Sequence, residues 1–254
     1  MIRTTAALLS MLTAFEIETP RIEREVTTSG LSIVRPAAPF LELCDAARGD
    51  YLEAFRCSPV QPPKKVFKPT DLAARPWRKL TIGSKNGVGE AYAQLLQTMY
   101  FDPTGPGHPS LNRLFEVVIG LRNRLMGVAP DFGGDAARDG YWNACRVHHY
   151  PRGGGFMMNH RDTYFPVKLG DLPFYQVMAP LSVKGRDFSE GGGILVTRQG
   201  ERLNTDEIAG VGSLVVFDGR IQHGVDDVDP HAIMDFDDEG GRLAAFANLY
   251  VTQS

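Results

Sequence analysis

With 254 residues, 43% of them apolar, the chain can bury one full core and is short for two. Its formal charge of −3 carries no global basic excess, which argues against nucleic acid as a partner, and no run approaches the ~18–20 apolar residues that cross a bilayer. Cys44, Cys57 and Cys145 are odd in number, widely spaced and without a CxxC motif, so they read as reduced thiols of a cytoplasmic protein.

In chain order, Ala6 to Phe15 is mildly apolar but contains Thr and Ser. It runs into Glu16 and Glu18 without a small-residue cleavage site, which predicts an amphipathic first helix rather than a signal peptide. The basic clusters Lys64-Lys65 and Arg75 to Lys79 are expected to be solvated surface. Gly89 to Met99 and Leu111 to Met126 carry apolar residues at helical spacing and predict two helices. Thr104 to Ser110 connects them, with Ser110 as the N-cap. Residues 1–140 therefore read as a mostly helical part packing on a sheet within a single domain, 1–254.

From Tyr141 the pattern changes. Tyr141 to Tyr150 is aromatic and β-branched enough for a strand. Pro151-Arg152-Gly153-Gly154-Gly155 must turn, and Phe156 to Asn159 leads onward as a second strand. Further strands are expected at Phe174 to Ser182, Gly191 to Thr197, Gly212 to Asp218 and Arg242 to Val251. Short strands separated by regular turn signals predict a mainly β sandwich or jelly roll with N-terminal helices.

The chemistry concentrates on His160-Arg161-Asp162 and His223. A histidine and a carboxylate two residues apart on a strand point to one face, so both can reach one metal. A histidine from a distant strand completes a 2-His-1-carboxylate triad, which leaves half the coordination sphere open as non-haem Fe(II) oxygenases require. Arg242 could then anchor a carboxylate-bearing co-substrate. Of the other four histidines, His148 and His149 fall in the Tyr141 to Tyr150 strand, and those at 108 and 231 lie in loops. The aspartates at 226, 227, 229, 235, 237 and 238 lack an EF-hand pattern, so they read as a solvated loop rather than a Ca2+ site.

Together these features resemble the Fe(II)/2-oxoglutarate-dependent dioxygenase superfamily: the Tyr150 to Gly155 turn, His160-x-Asp162, the Gly191-Gly192-Gly193 strand, His223-Gly224-Val225 and Arg242. The resemblance covers about the last 115 residues. It implies a cupin-like double-stranded β-helix buttressed by α-helices, with one Fe(II) held by His160, Asp162 and His223. It also implies 2-oxoglutarate bound through Arg242, with O2 as the oxidant. Eighteen residues separate His223 from Arg242, more than is usual for the family, and the acidic stretch 226–239 looks inserted there. Arg220 is the competing anchor.

Face alternation puts Arg146, His148 and Tyr150 on one side of their strand. His148 and Tyr150 are expected to contact 2-oxoglutarate, and Arg146, Gln176 and Asn248 the substrate. Halogenating relatives replace the carboxylate with Gly or Ala, so Asp162 points to hydroxylation, with desaturation or ring closure as other outcomes. The expected substrate is a small polar molecule such as a free amino acid or a natural-product intermediate. A peptide or protein hydroxylase and a non-oxidative cupin-like isomerase or binding protein stand as alternatives. Residues 158–170 and 226–240 are the candidate lids.

Overall fold

The computed structural model of the chain describes residues 6–35, 38–61, 78–85, 92–162 and 172–252. Among these, twelve strands form one curled sheet: β1 (Leu31–Val34), β2 (Val60–Gln61), β3 (Arg78–Lys85), β4 (Tyr92–Tyr100), β5 (Tyr141–Tyr150), β6 (Gly155–His160), β7 (Tyr175–Pro180), β8 (Gly192–Val196), β9 (Arg202–Asn204), β10 (Leu214–Asp218), β11 (His223–Val228) and β12 (Arg242–Val251). The order β1-β10-β7-β12-β5-β4-β6-β11-β8-β9 is antiparallel throughout, with β3 added at β4 and β2 pairing parallel to β3. This is the double-stranded β-helix expected. No helix among the described residues is long and apolar enough to cross a membrane.

Period-two alternation sorts the side chains between two environments. On the outer face, Cys145, Val147, Val177, Ala179, Leu214, Val216, Leu243, Ala245 and Ala247 join one buried cluster with three helices. These are α1 (Ala6–Ser29), α2 (Ala38–Cys57) and α3 (Pro109–Leu125), which contribute Ile22 and Val26, Phe40 and Tyr51, and Leu114 and Val118. The intervening residues of the same strands, among them Arg146, His148, Gln176, Met178, Arg242 and Phe246, face the barrel interior. Every strand expected from Tyr141 onward is present, within two residues at its ends.

Three local expectations are corrected. Within the helix expected over Gly89 to Met99, Tyr92–Tyr100 is instead strand β4, paired with β3, β5 and β6, and residues 89–91 lie outside the described residues. The N-cap of α3 is His108 with Pro109 following, not Ser110; Asp50 on α2 accepts from the Ser110 and Leu111 amides at 2.7 and 3.0 Å instead. Arg78 is buried rather than solvated. It donates to the Ser58 carbonyl at 2.5 Å, the Phe236 carbonyl at 2.9 Å and Asp237 at 2.7 Å, and it lies over the Phe55 ring. Lys64, Lys65 and residues 75–77 lie outside the described residues.

The acidic loop after β11 is largely exposed, as expected, but it is not placed as a lid. His223 and His160 occupy the start of β11 and the end of β6, whereas the loop leaves β11 at Val228, opposite Gly155. It is tied down there by Arg78–Asp237, Arg152–Asp238 and Arg56–Glu239 pairs, and Gly153 N donates to the Asp229 carbonyl. Gly153 sits at φ +88°, and a Cβ on it would meet the Met234 backbone at 2.7 Å, so only glycine fits under the loop. Arg78→Met is therefore expected to cost about 2–3 kcal/mol, the value of charged hydrogen bonds left unmade, in a denaturant titration. Metal affinity should stay at the parent level; a joint loss would restore a lid role. The other candidate lid, 158–170, lies mostly outside the described residues.

Candidate metal centre

His160 and His223 stand directly opposite each other across the β6–β11 pair, with ring centroids 4.4 Å apart. Asp162 lies just beyond the end of β6 rather than within it. Its amide donates to the Gly219 carbonyl at 3.0 Å, on the turn between β10 and β11, and this pins the carboxylate back over the histidines. Its oxygens lie 3.5 Å from His160 Nε2 and 3.6 Å from His223 Nε2. The three ligand atoms fall within 4.8 Å of one another, a separation suited to one ion.

Each histidine is oriented by its own backbone. Nδ1 of His160 donates to the Met158 carbonyl at 2.9 Å, and Nδ1 of His223 to the Ile221 carbonyl at 3.0 Å. Both rings are thereby set in the tautomer that leaves a lone pair on Nε2, facing the carboxylate. Tyr92 stacks on His160 at 3.9 Å and 18°, and Phe217 leans on His223 at 5.2 Å. These two rings shield the outer sides of the ligands from water.

Asp162 is buried, which raises its pKa. The adjoining His160 and His223 rings and the Gln176 amide outweigh burial and hold it below the usual carboxylate range. Gln176 Nε2 donates to Asp162 Oδ2, and Gln176 Oε1 accepts from Asn248 Nδ2 at 2.7 Å. These two amides, expected at the substrate, thus form a chain that ends on the metal-binding carboxylate. Gln176→Leu is expected to weaken metal binding roughly 10–100-fold, the usual effect of losing such a partner, and Asn248→Ala less, both read by anaerobic calorimetry.

Arg242 opens β12 opposite Tyr150 on β5 and points into the barrel. Its Nε donates to Asp206 Oδ2 at 2.7 Å; both side chains are buried, and Asp206 also accepts from the Gly193 amide at 2.5 Å. The strand before Asp206 hands over to a four-residue helix, α4 (Thr205–Ile208), N-capped by Asn204. Asp206 takes the Nε edge, so the terminal nitrogens are turned elsewhere, one of them to Met178 Sδ at 3.5 Å. A Cβ on Gly193 would collide with both Arg242 Nη2 and Thr205 Oγ1. Thr205 Oγ1 is buried and has no hydrogen-bond partner among the described residues. A guanidinium and an unsatisfied hydroxyl thus flank one point in the interior, an arrangement that fits a carboxylate. Arg220, the competing anchor, instead pairs with Asp218 at 2.8 Å on the outside of β10.

Tyr150 packs beside Arg242, whose guanidinium carbon lies 5.6 Å from the ring centroid; burial pushes the phenol pKa up to about 12. His148 sits between two neighbours. Its Nε2 accepts from Arg146 Nε at 2.8 Å, and its Nδ1 faces the Tyr150 hydroxyl at 3.4 Å. The sequence groups His160, Asp162 and His223 as one centre and places Gln176 and Asn248 at the substrate, whereas the structure joins both amides to Asp162. Sequence reasoning missed Tyr92, Thr205 and Asp206.

The donor set, two imidazoles and one carboxylate, suits Fe(II) with half its sphere open. Neither a protein-family model nor a curated protein sequence matches the chain. Solved structures do match. A prolyl hydroxylase from Trichoplax adhaerens, in complex with a hypoxia inducible factor oxygen degradation domain peptide fragment, gives a TM-score of 0.57 at 14% identity, covering 94% of this chain and 92% of that one. A Pseudomonas putida prolyl-4-hydroxylase gives 0.52 at 16% identity, covering 91% and 98%. SnoN, a non-heme alpha ketoglutarate dependent epimerase from nogalamycin biosynthesis, gives 0.51 at 12% identity, covering 92% and 82%. At these identities the likeness establishes a shared fold.

Proposed function

We propose that the chain is a non-haem Fe(II) oxygenase that couples oxidative decarboxylation of 2-oxoglutarate to C–H oxidation, in the simplest case hydroxylation, of a small molecule. The observation that carries this reading is the facial triad with an arginine–hydroxyl corner in the same barrel interior. The shared fold supports it, and one of the structures with that fold is described with Fe3+ and alpha ketoglutarate.

His160, Asp162 and His223 would hold the iron. Arg242 would take the far carboxylate of 2-oxoglutarate, with Thr205 and Tyr150 offering hydroxyls beside it. When bound, iron and co-substrate supply the oxidising chemistry: O2 is consumed, 2-oxoglutarate becomes succinate and CO2, and one oxygen atom goes to the substrate. The protein's part is to position and to exclude. The Met158 and Ile221 carbonyls hold the imidazoles in their ligating tautomer. Gln176 and Asn248 hold Asp162 in place. Asp206 fixes the guanidinium by one edge and leaves the other for an anion. Asp162 occupies the position that halogenating relatives leave to chloride, which favours oxygen transfer. His148 groups with Arg146 more than with Arg242, so it is better placed towards the substrate than the co-substrate.

The test is Fe(II)-dependent succinate formation from 2-oxoglutarate in air by the purified chain, alone and with amino acids and related acids. Succinate that requires iron and rises with a substrate is the expected result. Its absence in a folded, iron-loaded protein would remove the oxygenase reading. A second reading, a peptide hydroxylase, draws on the peptide in the Trichoplax adhaerens structure. It predicts turnover with peptides and none with free acids.

A further inference from the structure

The barrel interior holds a second arginine, and it is treated unlike the others. Buried guanidinium groups elsewhere in the fold each have a carboxylate or several carbonyl and amide oxygens as partners. Arg122 donates to the Ala247 carbonyl and to the Asn123 and Asn143 side chains, Arg78 to two carbonyls and Asp237, and Arg242 to Asp206. Arg146 is 7% exposed and has no carboxylate within salt-bridge distance among the described residues. Its Nε is committed to His148 Nε2 at 2.8 Å, and its Nη1 makes a long 3.5 Å contact with the Ala144 carbonyl. Its Nη2 has no acceptor among the described residues.

The surroundings of Arg146 are aromatic. Its cross-strand neighbours are Tyr100 on β4 and Phe246 on β12. The guanidinium carbon lies 5.7 Å from the Phe246 ring centroid and 5.4 Å from that of Tyr250, whose hydroxyl is 3.5 Å from the hydroxyl of Tyr100. Asp162 is among the groups whose charge acts on Arg146, but that carboxylate belongs to the triad. An arginine does not escape burial by losing its proton. A buried cation with no counter-ion is strongly unfavourable unless something supplies the anion.

Building on the oxygenase reading, we propose that the substrate is a small carboxylic acid whose carboxylate pairs with Arg146 inside the barrel. The rings of Phe246 and Tyr250 flank it, and His148 holds the guanidinium through Nε. The co-substrate carboxylate has its own corner at Arg242 and Thr205, so the two anions are read by different arginines.

The experiment compares matched pairs of small acids and their primary amides, amino acids and hydroxy acids among them, by calorimetry. It uses the metal-free protein, then the protein with Fe(II) and 2-oxoglutarate under anaerobic conditions. At least one acid is expected to bind at least about tenfold more tightly than its amide, as loss of a charge-assisted pair implies. Arg146→Met should erase that difference and Arg146→Lys restore part of it. Arg146→Met should bind 2-oxoglutarate within about twofold of the parent and melt no lower, because an unpaired buried charge has been replaced by an apolar side chain of similar length. Equal binding of acid and amide, or no acid bound, would overturn the proposal. Loss of 2-oxoglutarate binding in Arg146→Met would overturn it too, by assigning the guanidinium to the co-substrate. If the parent failed to bind 2-oxoglutarate yet bound an acid through Arg146, the anion site would stand and the oxygenase reading would fall.

Discussion

Asp162→Ala is expected to lower Fe(II) affinity by well over 100-fold and to abolish succinate formation, while leaving the fold intact. Asp162 is the anionic member of the triad, and its oxygens face both imidazoles at 3.5 and 3.6 Å. Without it two neutral rings remain, too few donors to hold the ion at micromolar concentrations. Losing an outer partner of a metal ligand already costs roughly 10–100-fold, so losing the ligand must cost more. The side chain is anchored by one amide, that of Gln176, and its backbone bond to Gly219 survives the substitution. Anaerobic calorimetry with Fe(II) and a far-UV spectrum separate the two effects. Unchanged iron affinity would mean that the ion binds elsewhere.

Arg242→Met is expected to do two things at once, and the structure shows how to separate them. The Arg242–Asp206 pair is buried on both sides, with side-chain exposures of 3% and 2%. Removing the arginine strands a carboxylate whose other donor is the Gly193 amide, a loss of about 3–5 kcal/mol. In a chain of this size that lowers Tm by roughly 6–20 °C. A weak response to 2-oxoglutarate in the single variant would therefore mix lost anchoring with lost folding. The double variant Arg242→Met/Asp206→Leu removes both charges and is expected to recover most of the stability. Affinity for 2-oxoglutarate should remain lost in it. Thermal melts and anaerobic titrations of the parent, both singles and the double give the cycle. A stable double variant that binds 2-oxoglutarate normally would move the anchor away from Arg242.

The C-terminal half was legible because its signals are local. Glycines bracket the strands, His160 and His223 sit at strand ends, and alternation put Arg146, His148 and Tyr150 on one face. Strand β4 was misread for a physical reason. It is covered on one side by the helices and on the other by the barrel contents, so Leu96 and Met99 are both buried although they face opposite ways. Apolar residues at both parities carry no period-two signal and imitate a helix. The misreading hid Tyr92, which stacks on His160. Asp206 was out of reach because its partner lies 36 residues away in sequence and nothing beside it marks burial. Arg78 looked solvated within a basic run, yet Ser58, Phe55 and Phe236 converge on it from distant segments.

The central claim is that one centre binds Fe(II) and 2-oxoglutarate together. Anaerobic titration of the metal-free protein with both, followed in the visible spectrum, tests it most directly. A weak charge-transfer band that needs both additions, disappears in Asp162→Ala and stays absent in Arg242→Met/Asp206→Leu is the expected result. A folded protein that shows no band with both present would contradict the account.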